Sequence, residues 1–325
     1  MGIYVIDKPL GLTSFDVVAR AKKRLNTGKV GHTGTLDPLA TGVLIVASNQ
    51  STKLVQFLEK DSKDYLAFVS FGASTPTLDA EGPILETKAV SRDELKPKIE
   101  AALEPYRGPQ MQMPPSYSAI HVNGERAYDL ARKGQEVVLN TRAVTVHKLK
   151  GDLILESMQE FRGLEYRPYQ QDGSSEWRAA PNGFVFDLPE PLGDFPTLML
   201  NVSVSSGTYI RSLARDIGLA LGLPAHLAGL VRTRVGKFKL DDAQKIETLE
   251  PYPSIPDLDA LDLPVLELSP FDAKRIRDGK LHTSSQVGLL VATCEGELVA
   301  VLEGDGQNLK VRRAWAAENQ VKGQR

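Results

Sequence analysis

The chain opens on a short apolar run at residues 2–6, stopped by the turn Lys8-Pro9-Leu10-Gly11, which predicts a buried strand. Apolar residues at Phe15, Val18, Ala19 and Leu25 then predict a helix capped by Ser14 and ended near Gly28. Residues 29–41 show no period and hold Gly31, Gly34 and Pro38, so a loop is expected. Residues 42–48 read as a buried strand, and Ser51 or Thr52 as the cap of a helix through Leu58. Tyr65, Ala67, Val69 and Phe71 alternate as one face of a strand does.

Farther on, Ser91-Arg92-Asp93-Glu94 forms a capping box before a helix ending near Leu103. Residues 110–117 look irregular, and residues 125–133 a short helix closed by Gly134. Residues 198–204 alternate as a strand and 209–221 follow as a helix. Helices and strands mingle without a βαβ rhythm, which predicts an α+β fold with a mixed sheet. Two stretches break this pattern. Residues 151–195 are polar and dotted with aromatics, as in an inserted loop or hairpin, and residues 240–264 set prolines 251, 253, 256 and 264 among acids, as in a linker. Beyond, residues 287–301 and 310–315 predict short strands around the turns Glu295-Gly296 and Gly304-Asp305-Gly306, a small β-rich domain.

At 325 residues, with 42% hydrophobic and 25% charged, the chain has globular proportions, which excludes disordered and fibrous classes. The net charge of −2 conceals two opposed blocks. Residues 206–239 hold six bases against Asp216, and residues 240–272 hold nine acids against Lys245. A basic block can neutralise phosphates or simply form a solvated face. The single cysteine, Cys294, excludes an internal disulfide and fits a reducing compartment. Asp7 and Lys8 interrupt the first apolar run, and the longest uncharged runs, 108–124 and 195–210, are polar and short for a membrane span. A soluble, cytoplasmic protein without membrane association is expected.

Candidate chemistry concentrates in two segments. In residues 31–42 (GHTGTLDPLATG), glycines permit tight turns, and Pro38 pushes Asp37 towards extended backbone, aiming its side chain outward. Such an aspartate is a turn former or cap, or else a nucleophile, a base or a metal ligand. No glycine-lysine-serine/threonine follows at phosphate-loop spacing, so nucleotide binding is not indicated. Thr33-Gly34-Thr35-Leu36 lacks the preceding aspartate that aspartyl-phosphate chemistry needs. Histidines 32, 121, 147, 226 and 282 are scattered, which argues against a metal centre and leaves His32 as a structural or a functional residue. In residues 204–213 (VSSGTYIRSL), Arg211 sits in a first helical turn against the helix dipole, which suggests an acid or a phosphate as partner, the alternative being a surface arginine at a helix start. Tyr65, on an alternating strand, is core by default.

Taken together, KPLGLTSFDVV at residues 8–18, GHTGTLDPLATGVL at 31–44, KDYLAFVSFGASTPTLDAEG at 63–82, QMPPSYSAI at 112–120 and VSSGTYIRSLARDIG at 204–218 resemble the TruB family of tRNA pseudouridine synthases. The resemblance implies a mainly antiparallel sheet flanked by helices, with Asp37 as the catalytic aspartate. It implies that Tyr65 stacks on the target base, that Arg211 pairs with Asp37, and that Tyr209 and Leu230 contact substrate. His32 matches the histidine that fills the place left by the flipped nucleotide, and Lys8 and Pro9 match a motif supporting the active-site loop. The implied organisation is a catalytic domain over 1–240 with an insert near 147–197, an acidic proline-rich linker over 241–264, and a PUA-like RNA-binding domain over 265–325. The insert is longer than the family pattern, which leaves Trp177 without a role.

The implied reaction isomerises uridine to pseudouridine at position 55 in the T loop of tRNA. It consumes nothing, so no cofactor, nucleotide or metal is expected, and the partner is the T arm of tRNA bound to a monomer. The uridine must be flipped out at a cost of a few kcal/mol, which stacking on Tyr65 can offset by ~1–3 kcal/mol. Asp37 attacks the sugar or acts as a base; Arg211 supplies its counter-charge. The motifs are expected to hold no second acid, so paired-carboxylate glycosidase chemistry is not expected. The alternatives are a non-catalytic RNA-binding or tRNA-folding protein, and a guide-RNA-dependent pseudouridine synthase, which the short amino terminus disfavours.

Overall fold

Alternation along the strands gives one central sheet two different cores, one on each face. The computed structural model describes residues 2–316 apart from 59–61, 119–120, 123–124, 127–138, 172–173, 253 and 281. Its first elements are β1 (Gly2–Lys8), α1 (Ser14–Arg24), β2 (Val30–Thr33), β3 (Ala40–Ser48) and β4 (Lys63–Phe71). A ten-stranded sheet runs in the order 244–245, β1, β3, 225–235, β4, 197–204, 142–155, 108–112, with β2 and 238–239 attached alongside. Its pairs are antiparallel except β1 with 244–245 and β3 with 225–235. On β4, Tyr65, Ala67, Val69 and Phe71 enter one core, as their spacing predicts, while Leu66 and Phe68 enter the other. Helix Ile210–Leu221 covers the Tyr65 face through Ile210, Leu213, Ala214 and Ile217.

Several local expectations shift. Thr13, not Ser14, caps α1, in a reciprocal box with Asp16, and the helix buries Ser14, Val17, Val18 and Ala21 while Phe15 and Ala19 face solvent. The apolar stripe is therefore rotated, because Ser14 is spent on a tertiary contact. Within the expected loop at 29–41, β2 pairs with β3, so short polar residues join a ladder whose partner is fully buried. Ser51 and Thr52 lie inside a 3₁₀ turn (Asn49–Leu54) rather than capping a helix. The Ser91 box forms, and Pro97 turns the middle of the following helix into 3₁₀ geometry. Gly108–Gln112 is an edge strand where irregular chain was expected. Glu125–Arg126 pairs with His121–Val122, and the rest of the helix expected at 125–133 lies outside the described residues.

The larger differences are the two atypical segments. Residues 165–185 form a three-stranded antiparallel sheet (Glu165–Gln171, Ser174–Ala179, Phe184–Val185). It is part of the core: Tyr166, Trp177 and Phe186 pack in the cluster with Leu66, Phe68 and Met199. The backbone N–H of Trp177 donates to Asn201 Oδ1 at 2.7 Å, and Asn201 Nδ2 donates back to its carbonyl at 3.0 Å. Trp177 thus has a structural place, edge-on to Phe184 at 5.4 Å between centroids. Trp177→Ala should lower the unfolding free energy by about 3–5 kcal/mol, the cost of emptying a large buried site. Urea denaturation checks this, and a loss under ~1 kcal/mol would mark the insert as peripheral.

Residues 241–264 are not a free tether either. Gln244–Lys245 extends the main sheet beside β1, Ile255 bridges Ile3, and Ile246, Leu249 and Leu261 are buried. Most of their acids face outward while Ile246, Leu249, Ala260 and Leu261 are buried, which composition alone does not reveal. A five-stranded sheet follows, in the order 265–267, 287–294, 297–305, 308–314, 282–283, with its own small core and Val291, Val301 and Trp315 packed into the main one. The strands and turns predicted for 287–315 are present. No helix among the described residues is long and apolar enough to cross a membrane.

Candidate active site at the Asp37 loop

Asp37 lies on the six-residue connection between β2 and β3, and neighbouring elements hold that connection at three points. Ser14 Oγ donates to the Leu36 carbonyl at 3.1 Å and accepts from its N–H at 2.9 Å. Lys8, fully buried, donates from Nζ to the carbonyls of Pro9, Leu12 and Pro38 at 3.0, 2.5 and 3.3 Å. Burial draws its pKa down to about 8, against the opposing charge of Asp37. Arg232, also fully buried, donates to Val43 and Gly34 carbonyls at 2.7 and 3.0 Å. Gly42 adopts φ +96°, and a Cβ there would sit 2.3 Å from the Arg232 carbonyl oxygen, so only glycine lets these strands meet.

The expected pairing with Arg211 is present. Its Nε stands 3.0 Å from Asp37 Oδ2, with the Asp37 side chain 36% exposed and that of Arg211 7%. The rest of the fork is occupied: Nη1 lies 3.3 Å from Asp79 Oδ2 and donates to the Thr77 carbonyl at 3.0 Å, and Nη2 donates to the Tyr117 carbonyl at 2.9 Å. The arginine therefore presents a single edge to Asp37. Tyr209 caps the helix and is fixed by Gln112, whose amide accepts from its N–H at 2.8 Å and donates to its carbonyl at 3.1 Å. Gly207 at φ +83° makes the turn that brings the helix in.

Asp79 is the acid that sequence reasoning passed over, and it corrects the expectation that these motifs hold only one. Its side chain is 2% exposed and accepts from Thr77 Oγ1 at 2.5 Å and the Glu81 N–H at 3.0 Å. Burial raises its pKa, opposed by the Thr77 hydrogen bond and the Arg211 charge. With both oxygens engaged inside the protein, it acts on Arg211 rather than on anything in the open site. Glu81 stands beside it, pushed up to about 7 by partial burial and then by the charges of Asp79 and Asp37. Nothing in the order Thr77-Leu78-Asp79 marks this acid, and only the structure shows that Leu78 takes φ +63°, a left-handed conformation rare for leucine. Gln112, Ser14 and Arg232 were likewise missed, because their contacts span 22 to 198 residues.

Tyr65 and Leu230 line the same face. Tyr65 is 7% exposed and packs with Leu36 and Leu230. Leu230 stands opposite Ala40 and Ala67. His32 is on β2, edge-on to the exposed ring of Phe15 at 5.6 Å, with Nδ1 buried and unpartnered. Burial, then the Arg232 charge, lowers its pKa, so it is neutral at pH 7. Pro9 begins the turn that Lys8 holds. The loop, Tyr65, Leu230 and Arg211 thus converge, and His32 stands at their edge. Among the described residues no His/Cys/Asp/Glu group has metal-binding geometry.

An acid held by a buried guanidinium above an apolar floor stands at the middle of this sheet, and comparison with known proteins places the chain among pseudouridine synthases. The structure aligns with a crystal structure of a Cbf5-Nop10-Gar1 complex at TM-score 0.64 and 25% identity, covering 98% of this chain and 86% of that one. Residues 22–162 match the TruB family pseudouridylate synthase amino-terminal domain, and residues 211–262 the tRNA pseudouridylate synthase B carboxy-terminal domain. Relatives named tRNA pseudouridine synthase B are 53% identical in Deinococcus radiodurans (97% of this chain, 100% of the relative), and 46% in Thermus thermophilus (98% and 100%). The chain belongs to the TruB family.

Proposed function

We propose that this protein isomerises uridine to pseudouridine in tRNA, at position 55 of the T loop. The observation that carries the reading is the contact between Asp37 and Arg211, 174 positions apart in sequence yet 3.0 Å apart in space. The uridine leaves its stack and lies against Tyr65 and Leu230, with Tyr209 beside it and His32 taking its place in the loop. Asp37, as nucleophile or base, assists cleavage of the C1′–N1 bond. The base turns, C5 joins C1′, and the C5 proton is lost while N1 gains one, so atoms balance without a cofactor. Arg211 is the fixed counter-charge once RNA displaces water. Lys8 and Pro9 support the loop.

The catalytic unit is residues 1–240, and 265–325 form a PUA-like RNA-binding domain joined to it by 241–264. We place the protein in the cytoplasm as a monomer. Purified protein incubated with an unmodified tRNA transcript should form one pseudouridine per molecule, mapped to position 55. Modification elsewhere would refute the site choice, and none at all would refute the enzyme reading in favour of an RNA binder or a guide-dependent enzyme.

A further inference from the structure

The inserted small sheet carries a groove on the far side of the main sheet from Asp37. Alternation on β4 establishes the sides: Tyr65 packs with Leu36 and Leu230, whereas Leu66 and Phe68 pack with the insert's Tyr166 and Trp177. The groove, about 730 Å³, is lined by Arg167, Tyr169, Arg178, Asn182 and Phe184 among small residues, and no carboxylate lines it. Residues 147–197 hold nine acids against five bases, and two of those bases, Arg167 and Arg178, line the groove.

Three details show that the protein satisfies these cations only in part. Arg167 and Arg178 are direct cross-strand partners, a like-charge pairing that costs stability unless an anion lies between them. Arg178 Nε is buried without a hydrogen-bond partner. The acid nearest Arg178, Glu176 at 3.4 Å, already binds Lys148 at 2.8 Å and Lys150 at 2.9 Å. Counting Asp152, whose charge is felt by Arg178 and Lys150, three bases face two acids, a surplus of one positive charge before Arg167 is added. Arg178 also stacks over the Tyr169 ring at 4.2 Å, and Tyr169 stays 45% exposed. Paired guanidinia beside an exposed aromatic ring suit a phosphodiester with an unpaired base, more than a peptide or a membrane.

We propose that this groove is a second RNA site, holding a phosphate between Arg167 and Arg178 and a base against Tyr169. Its occupant is a part of the tRNA outside the T-arm hairpin, because the groove and the Asp37 site lie on opposite faces of the sheet. The proposal rests on the reading of the chain as a tRNA-modifying enzyme.

The test uses the full chain with Arg167→Glu and, separately, Tyr169→Ala, both at exposed positions. Each is titrated with unmodified tRNA transcript and with an isolated T-arm hairpin over a salt series. Arg167→Glu should weaken whole-tRNA binding about five- to tenfold and reduce the salt slope by about one to two. Tyr169→Ala should weaken it about three- to tenfold. Hairpin affinity and the single-turnover rate on the hairpin should stay within about twofold of wild type. Unchanged whole-tRNA affinity in both variants, or an equal loss with both RNAs, overturns the proposal. Failure of the enzyme reading would appear separately, as absent pseudouridine with wild-type protein.

Discussion

Asp37→Asn should bind tRNA within about twofold of wild type and turn it over at least ~10⁴-fold more slowly, the scale seen when an enzyme loses its central reacting group. Asparagine is nearly isosteric, so the three clamps on the loop, from Ser14, Lys8 and Arg232, remain in place. The amide can still accept from Arg211 Nε, which keeps the fork seated. What disappears is the negative charge and with it both a nucleophile and a base. Single-turnover assay with tritium release from C5 of uridine measures the rate, and filter binding measures affinity. Turnover within a hundredfold of wild type would remove Asp37 from the chemistry, whatever its position.

Arg211→Lys should cost about 10²–10³ in rate, the usual effect of losing one preorganised charge-stabilising donor, even though the formal charge is kept. Arg211 serves Asp37, Asp79 and the carbonyls of Thr77 and Tyr117 through one planar group. An ammonium has three donors and no plane, so it cannot reach all four. Whichever contact it drops is damaging. Abandoning Asp37 misplaces the reacting acid, and abandoning Asp79 leaves a buried carboxylate without its cation, a loss of ~3–5 kcal/mol. The variant should therefore show a lower kcat with little change in KM, and a lower melting temperature. A wild-type rate would show that the shared fork is irrelevant and that Asp37 needs only a nearby charge.

These two experiments bear on residues that differ in how visible they were. Asp37 and Arg211 stood out locally, one beside a proline in a glycine-bounded loop, the other a cation at the wrong end of a helix. Their partnership was supplied by resemblance, since no spacing rule joins residues 37 and 211. Asp79, Ser14, Gln112 and Arg232 were ordinary in sequence: a turn acid, a cap, an edge-strand amide and one member of a basic block. Ser14 shows the reason. A serine ahead of an apolar run reads as a cap, yet its hydroxyl is used on Leu36, and Thr13 takes the capping role.

Period and punctuation along the chain were enough to determine where most strands and helices form, that the fold is α+β, and that a small β-rich unit follows residue 264. These properties follow from backbone sterics and the burial of apolar faces, which act within a few residues. Tertiary structure alone decided that the insert's aromatics belong to the core, that residues 241–264 strap the sheet, and that one arginine holds two aspartates. Hydrogen bonds and ion pairs between distant segments exist only after the sheet has brought those segments together, so their energies leave no periodic trace in the amino-acid order.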